Sequence, residues 1–258
     1  MPMHAVTQAQ AQSRAVFMAP SEPARRFQVK CASCNLREMC LPRGLDADDM
    51  ERVENIVYAR RRVRRGEALF NAGDEFKAIY AVRCGFFKTS IVDGEGREQV
   101  TGFFMGGELL GMDGVGSGRY HCAAIALEDS EVCVMPFALV EQMAREIPAL
   151  QRNLHAVLSR EIVREHGVMM LLGSMRAEER LATFLLNLSR RFMRRGYSAN
   201  DFHLRMTREE LGSFLGLKLE TVSRLFSKFQ EEGLLEVNQK HVAIRDSARL
   251  EALLAARH

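Results

Sequence analysis

Short apolar runs separated by turn residues characterise the stretch from residue 59 to residue 136. Glycine-containing turns recur there about every eight to twelve positions, and the runs between them include residues 78–82, 86–92 and 131–135. Many short strands at such spacing are typical of an antiparallel sandwich or roll. A helical pattern over residues 45–57 precedes them. The sequence therefore predicts a β-roll preceded by one helix.

Beyond Pro136 the apolar period becomes that of an α-helix, and Gly167 is the only glycine between residues 137 and 172. One subset of positions, beginning at Leu154, follows the repeat of about 3.5 residues that is typical of a coiled-coil seam. The pattern predicts a long dimerisation helix whose interface contains Leu158, Ile162, Glu165, Met169 and Leu172. Glu165 is the one acidic member of this seam, and two-fold symmetry would bring it close to its own copy. The alternative is a rotated helix in which Glu165 points to solvent and pairs with Arg164 or Arg160 of the partner chain.

Three further helical segments follow, over residues 177–192, 207–215 and 219–231, and a predicted hairpin over residues 234–244 comes after them. Thr207 and Glu210 form a capping-box pattern, because each side chain can bond the other residue's backbone N–H. Gly216 then allows a sharp turn before the third segment. Two short helices joined by a glycine-containing turn predict a helix-turn-helix, and the hairpin adds a wing.

The second helix of this predicted helix-turn-helix has two different sides. One is an apolar stripe at helical spacing, formed by Val222, Leu225, Phe226 and Phe229. On the other side Arg224 can donate two hydrogen bonds to guanine, Glu220 can accept one from cytosine, and Ser223 can do either. The predicted DNA-binding residues are Glu220, Thr221, Ser223 and Arg224, together with Lys218 and Thr207 near the two helix starts.

Composition changes this picture little. The 258 residues are 47% hydrophobic and 27% charged, which suits two ordinary globular domains. No apolar stretch approaches the ~20 residues that span a bilayer, and no signal-peptide pattern precedes residue 30, so we expect a cytoplasmic protein without a membrane partner.

The α+β fold is predicted to comprise an arm (1–44), a β-roll sensor domain (45–143), a dimerisation helix (144–175) and a winged helix-turn-helix (176–258).

The net charge of +3 is unevenly distributed along the chain. Residues 1–44 and 176–258 each carry an excess of four positive charges, whereas residues 45–143 carry an excess of six negative charges. Basic segments of this kind are compatible with binding to a polyanion, because lysine and arginine supply affinity for phosphates. An excess of four is also common on surfaces that bind nothing, so charge alone decides little.

Three of the six cysteines lie close together, at Cys31, Cys34 and Cys40. Thiolates at this spacing can bind one metal ion or cluster if a fourth ligand comes from elsewhere. Three other interpretations stay open on the residues alone: a redox dithiol, a structural zinc site, and packing as small hydrophobic side chains. However, no thioredoxin-like βαβ pattern surrounds the first pair, and structural zinc usually takes two paired knuckles.

The segment Glu-Thr-Val-Ser-Arg at 220–224 resembles the CRP/FNR superfamily of bacterial transcription regulators, as do Ala-Glu-Glu-Arg-Leu at 177–181 and Leu-Ser-Arg-Arg-Phe at 188–192. The similarity is greatest to the FNR (fumarate and nitrate reduction) branch and covers roughly residues 28–250. It implies a jelly roll like that of cyclic-nucleotide-binding domains. It also implies a homodimer that binds a palindrome of TTGAT half-sites, and contact with RNA polymerase, for which the loop at residues 93–97 is a candidate.

The same resemblance implies an oxygen-responsive [4Fe–4S] cluster. Its implied ligands are Cys31, Cys34, Cys40 and Cys133, the last because the family motif around it ends in the same Pro-Phe. Cys122 is the main alternative for the fourth ligand and Cys84 a weaker one, but both lie outside the family's motif, so structural roles are expected for them. Ala32-Ser33 stands where an acidic residue is often found in the family, and such neighbours tune a cluster's reactivity.

Other classes of function receive less support. The sequence contains no Ser/His/Asp set, phosphate-binding loop or paired carboxylates, so we do not expect an enzyme. Gly107-Glu108 followed by Arg119 without an adjacent hydroxyl residue is an incomplete version of the family's phosphate clamp, so no cyclic nucleotide is expected. His121 and His155 as haem ligands are less favoured than structural roles. The open alternatives are a zinc- or thiol-based redox regulator of the same superfamily, or a cyclic-nucleotide-controlled effector protein.

Overall fold

The computed structural model describes residues 30–55 and 59–255. A 3-10 turn at Arg37–Met39 is followed by helix α1 (Ala47–Glu54). This helix begins after Asp46, whose carboxylate accepts a hydrogen bond from the backbone N–H of Asp49 at 2.8 Å. It is two residues shorter at its start than predicted. Residues 56 and 57 of the predicted helix, residues 1–29 of the predicted arm and residues 256–258 lie outside the described residues.

The predicted β-roll is present as two four-stranded antiparallel sheets. The strands are β1 (Ala59–Val63), β2 (Ala68–Phe70), β3 (Ala78–Cys84), β4 (Phe86–Val92), β5 (Glu98–Met105), β6 (Leu109–Leu110), β7 (Ala123–Ala126) and β8 (Ser130–Pro136). One sheet has the order β1-β8-β3-β6 and the other β2-β7-β4-β5. Since consecutive strands alternate between the sheets in several places, the apolar faces meet inside the roll.

Aromatic side chains fill part of the roll interior. The rings of Phe70 and Tyr120 stack with their centroids 4.0 Å apart, and Phe76 meets Tyr120 edge-on at 5.4 Å. The Tyr120 hydroxyl donates a hydrogen bond to the carbonyl of Ala78 at 2.6 Å, so this buried polar atom is satisfied. Gly114 lies so close to Phe76 that an added Cβ would come within 2.5 Å of its ring.

Two helices, not one, follow the roll. Helix α2 (Phe137–Glu146) ends before Ile147, which is extended, and helix α3 (Pro148–Ser174) then begins. The dimerisation helix predicted to start at residue 144 therefore starts at Pro148, because proline lacks an N–H to continue α2 but suits the first position of a helix. Leu150 and Leu154, in the first turns of α3, are buried against the roll.

The C-terminal domain has the predicted winged helix-turn-helix. It consists of α4 (Ala177–Met193), β9 (Asp201–His203), α5 (Arg208–Leu215), α6 (Leu219–Glu231), β10 (Leu235–Asn238), β11 (His241–Ile244) and α7 (Ser247–Ala255). The predicted hairpin is β10–β11, and β9 adds a third strand to it, giving the order β10-β11-β9. Neither β9 nor α7 was expected from the sequence pattern.

Two glycines allow α5 and α6 to pack closely. Gly216 has a φ of +63° and ends α5 in the left-handed region that other residues rarely adopt. Gly212 faces the turn, and a Cβ there would lie 2.6 Å from the carbonyl oxygen of Leu217.

One hydrophobic core joins the C-terminal domain to the roll. The ring of Phe103 in β5 lies 5.3 Å from that of Phe214 in α5 and 5.9 Å from that of Phe184 in α4. Phe86, Val100 and Met105 of the same sheet belong to this core as well. The helix-turn-helix is therefore packed against β4 and β5 rather than joined to them by a linker alone. None of the described helices is long and apolar enough to cross a membrane.

Candidate nucleic-acid interface and candidate metal centre

Helix α6 presents the predicted base-reading residues on its exposed side. Glu220, Ser223 and Arg224 are exposed and Thr221 is half-buried. The apolar stripe faces inward, with Val222 and Phe229 fully buried. The Arg224 Nε lies 3.4 Å from the carbonyl oxygen of Glu220, one turn earlier. This places three polar side chains of suitable chemistry on one surface of a helix of thirteen residues.

The remaining two predicted contacts, Thr207 and Lys218, are the residues that precede helices α5 and α6. The Thr207 hydroxyl accepts from the N–H of Glu210 at 3.1 Å, and the Glu210 carboxylate accepts from the N–H of Thr207 at 2.7 Å, so the predicted capping box forms. Lys218 is the exposed residue preceding α6. Helix starts carry partial positive charge, which suits phosphates of a nucleic acid backbone.

A buried lysine of the roll holds the start of α5. Lys88 in β4 is 8% exposed, and its ammonium lies 2.9 Å from Glu98 and 3.2 Å from Glu210. Burial alone would lower the pKa of Lys88, but its hydrogen bonds to the two carboxylates raise it above the usual value, so the lysine stays charged. Glu210 thus serves both the capping box and an ion pair to the roll. The hydroxyl of Ser213 in α5 also accepts a hydrogen bond from the backbone N–H of Val100 in β5, at 2.8 Å.

Glu108 forms a second connection between the domains. Its two carboxylate oxygens each lie 2.6 Å from a guanidinium nitrogen, one of Arg191 and one of Arg195 in and after α4. Burial alone would raise the pKa of Glu108, but the two guanidinium groups hold it below its usual value. Glu108, which belongs to the incomplete phosphate-clamp pattern in the sequence, is therefore bound to two arginines of the C-terminal domain. Sequence reasoning missed this role because its partners lie more than eighty positions away.

Arg180 joins the C-terminal ends of helices α3 and α5. Its guanidinium donates to the carbonyls of Leu172 (2.8 Å), Met175 (2.9 Å) and Leu215 (2.9 Å). These carbonyls lie at the C-terminal ends of α3 and α5, where no intrahelical donor is available. The neighbouring Glu179 accepts a hydrogen bond from the backbone N–H of Arg176 and so caps α4.

The four cysteines that the resemblance assigns to a cluster line one cavity. Cys31, Cys34 and Cys40 come from the N-terminal segment and Cys133 from β8. The walls are completed by apolar side chains such as Val53 and by basic ones, Lys30, Arg37 and Arg83. The cavity measures about 40 Å³, room for no more than a few water molecules. A larger group would require the segment around Cys31–Cys40 to move outward.

The thiols of this cavity influence one another. Burial, the neighbouring Cys133 and Glu54 raise the pKa of Cys31 to about 12, and burial raises that of Cys40 to about 12. Burial also raises the pKa of Cys133, against the opposing effect of Arg83 and Arg60. A buried group of thiolates without a cation is unfavourable, so metal binding at these thiols would have to release protons.

The four thiols line one cavity but are not gathered around a single point. Within residues 30–55 and 59–255, no set of three or more His, Cys, Asp or Glu side chains converges closely enough for one metal ion. A single zinc needs its sulfurs at about 2.3 Å from one point. The thiolates of a four-iron cluster each bind a different iron and are spread around a shared space. The donor set, four thiols and no carboxylate, is used both by such clusters and by structural zinc sites.

The other two cysteines lie elsewhere. Cys84 is exposed at the end of β3, and Cys122 packs against the interior of the roll. The backbone N–H of Cys122 donates to the carboxylate of Asp113 at 3.0 Å. Neither lines the cavity, which agrees with the structural role expected for both.

The predicted dimer seam is partly exposed in the single chain. Ile162 and Met169 are 57% and 67% exposed, whereas Leu158 and Leu172 are half-buried. Glu165 is exposed, and its carboxylate lies 3.1 Å from Arg164 of the same helix. Arg164 in turn stacks on the ring of Phe104 in β5, with 4.2 Å between guanidinium and ring centre.

The loop at residues 93–97 is a compact exposed turn. The Asp93 carboxylate accepts from the backbone N–H of Glu95 (2.9 Å) and of Arg97 (3.0 Å). Ile91 and Val92 beside it are 44% and 64% exposed. Its proposed contact with RNA polymerase stays a prediction.

Sequence profiles match both halves of the chain. The profile of the Crp-like helix-turn-helix domain matches residues 179–253, and that of the cyclic nucleotide-binding domain matches residues 60–146. The first covers the DNA-binding candidates, and the second covers the roll from β1 to the end of α2.

Full-length relatives match over most of the chain. The transcriptional regulatory protein btr of Bordetella pertussis is 45% identical over 87% of this chain and 93% of its own length. The transcriptional activator protein FnrA of Stutzerimonas stutzeri is 45% identical over 88% and 93%. Among solved structures, FixK2 from Bradyrhizobium japonicum superposes with a TM-score of 0.69 at 30% identity, covering 76% of this chain and 96% of that one.

Proposed function

Because the chain belongs to the CRP/FNR family of DNA-binding transcription regulators, we propose that it is an oxygen-responsive activator carrying a [4Fe–4S] cluster. The proposed ligands are Cys31, Cys34, Cys40 and Cys133. The observation that carries this proposal is that these four thiols, from two distant parts of the chain, line one cavity. The cluster, when bound, supplies a group that oxygen can destroy.

The contacts around the cavity suggest how its state could reach the DNA-binding domain. Leu36 and Met39, within the cysteine segment, pack on Gly106 and Gly107, where an added Cβ would lie 3.1 and 3.0 Å from them. The next residue, Glu108, holds the arginines of the C-terminal domain. A shift of the cysteine segment would thus act on the turn that connects roll and α4.

Family members bind DNA and act as dimers, and for this chain we infer a homodimer through α3 on a TTGAT-type palindrome. In that complex Glu220, Ser223 and Arg224 read base edges, with Thr221 beside them. Lys218 and Thr207 contact phosphates. RNA polymerase is the expected protein partner, and a cyclic nucleotide is not expected, since Glu108 is bound elsewhere and aromatic rings occupy part of the roll.

Six single Cys→Ser variants, purified without air, test the ligand set. Cys31→Ser, Cys34→Ser, Cys40→Ser and Cys133→Ser should each lose most iron and sulfide and the absorption at about 400–420 nm, because an iron would lack its thiolate. Cys84→Ser and Cys122→Ser are the matched controls and should retain the wild-type content. Bleaching of the wild-type colour in air would support the oxygen response.

Two results would contradict the proposal. A colourless wild-type protein with one zinc per chain would favour the zinc-based regulator of the same family. Full iron in Cys133→Ser together with loss in Cys122→Ser would show that the fourth ligand is wrong, although the cluster itself would stand.

A further inference from the structure

Two arginines share one carboxylate beside Cys133. The Nε atoms of Arg83 and Arg60 lie 3.2 and 3.7 Å from the same oxygen of Glu131. Arg60 is directly opposite Cys133 in the β1–β8 ladder, and Glu131 is two residues before Cys133 in β8. The side chains of Arg60 and Glu131 are 23% and 21% exposed, so this is a half-buried group and not a solvated surface pair.

One hydrogen-bond donor of this group has no acceptor among the described residues. The Nε of Arg60 is buried and has no hydrogen-bond partner there. A buried donor without a partner is costly, and such atoms in native proteins usually call for an explanation. Arg83, moreover, lines the cysteine cavity itself.

The charges around the cavity are also unbalanced. Two guanidinium groups meet one carboxylate, which leaves one excess positive charge next to Cys133. Lys30 and Arg37 line the same cavity. Arg37 is paired with Glu38 and Glu54 lies near Cys31, so the excess positive charge is the one that Arg60 and Arg83 leave beside Cys133. Four thiolates around a cluster would bring net negative charge to this position.

We propose that Arg60 and Arg83, oriented by Glu131, form the electrostatic support of the cluster, offsetting its negative charge and offering it hydrogen-bond donors. Their role is to slow the loss of iron from the site and thereby to set how long the loaded state lasts. The inference rests on the proposed function, because it requires a cluster at Cys31, Cys34, Cys40 and Cys133. It adds residues that are not ligands and that the cysteine spacing does not reveal.

The test compares iron loss from loaded proteins under argon. Wild type, Arg60→Gln and Arg83→Gln are reconstituted with iron and sulfide, and transfer of iron to a ferrous chelator is followed by absorbance. We expect at least threefold faster transfer from both glutamine variants, because each loses one positive charge beside the thiolates. Arg83→Lys, which keeps the charge, should differ from wild type by less than twofold.

Arg64→Gln is the matched control. It removes the same charge just beyond the end of β1, where Arg64 is exposed, whereas Arg60 is half-buried directly opposite Cys133 and Arg83 lines the cavity. Iron should therefore leave Arg64→Gln at the wild-type rate. Thermal unfolding of the iron-free variants checks that all of them fold. A glutamine variant that folds but cannot be loaded also supports the proposal, provided that Arg64→Gln loads normally.

The outcomes separate this inference from the proposed function. Loaded Arg60→Gln and Arg83→Gln that release iron at the wild-type rate would overturn the electrostatic role and leave the cluster in place. Equal acceleration in Arg64→Gln would also overturn it, since the effect would then be one of overall charge. A wild-type protein that binds no cluster would remove both proposals.

Discussion

At the scale of single residues, Arg224 is the side chain on which sequence discrimination should depend most. Its guanidinium is exposed and, among the described residues, bonds only to the carbonyl of Glu220. It can therefore turn toward a base edge without breaking a strong contact. Arg224→Ala should cost about 1–3 kcal/mol at the cognate guanine and relax the preference at that position, as measured by competition with half-sites altered one base at a time.

Lys218→Ala serves as the comparison for Arg224→Ala. Lys218 precedes α6 and is expected to meet phosphates, so its loss should weaken binding to all sequences alike and reduce the salt dependence. If Arg224→Ala behaved in the same uniform way, Arg224 would be a phosphate contact and its assignment as a base reader would be wrong.

Residue roles that depend on neighbours in the chain could be predicted from the sequence, and those that depend on distant partners could not. The capping box of Thr207 and Glu210 and the buried stripe of α6 follow from spacings of three and four residues, and both are confirmed. That Lys88 would bind Glu210 could not be foreseen, because no local pattern records a contact between strand β4 and helix α5.

At the scale of elements, the same distinction explains what was missed. The helical apolar period continues through residues 137–172 and therefore predicts an unbroken helix. The structure has a break at Ile147-Pro148, where proline begins the second helix. Strand β9 is only three residues long and is stabilised by pairing with β11. A strand this short has too few residues for an alternation of apolar and polar positions to predict it. Helix α7 is similarly defined by packing on α4, with Leu250 fully buried.

The turn before β6 provides a prediction about acid stability. Glu108 has a lowered pKa, so its contribution to folding is complete above the unfolded-state value of about 4.5 and disappears as the pH falls through the lower folded-state value. Glu108→Gln should lower the free energy of unfolding near neutral pH by about 1–3 kcal/mol, less than a fully buried pair because the side chain is 27% exposed. Its stability should then fall less steeply on acidification than that of the wild type.

Denaturant unfolding at several pH values between about 6 and 3 would measure both effects. Glu75→Gln is the control, since Glu75 pairs with Lys77 on the surface with both side chains at least two-thirds exposed. The interpretation fails if Glu108→Gln keeps wild-type stability near neutral pH, because the contact between roll and α4 would then contribute nothing.

At the scale of the whole molecule, the two domains and the cysteine segment form a connected structure. The core that contains Phe103 continues from β5 into α4 and α5, and Arg164 of α3 stacks on Phe104 in the same strand. Helix α3 therefore contacts the roll on one side while it exposes Ile162 and Met169 on another. An apolar face of this kind on a long helix is available for a second copy of the chain.

We expect Glu165 to oppose that association. In the single chain it is solvated and paired with Arg164, but Arg164 is also committed to Phe104 and Glu161. Burying Ile162 and Met169 between two chains would bring the two Glu165 side chains together, at a cost on the order of a few kcal/mol if both stay charged and lose hydration. We expect the cluster-free wild type to be monomeric for this reason, and cluster binding to supply the missing free energy.

Glu165→Ala should accordingly dimerise and bind DNA in air without a cluster. Analytical ultracentrifugation of the cluster-free variant measures the first effect and binding to a palindromic duplex the second. Glu141→Ala is the matched control, because Glu141 is an exposed helical glutamate paired with an arginine of its own helix, Arg145, outside the seam. Since both substitutions remove one negative charge, a dimer seen only with Glu165→Ala would locate the repulsion in the seam. A monomer identical to the cluster-free wild type would instead mean that α3 needs more than relief from this charge, such as a rotation of the helix on the roll, before two chains can associate.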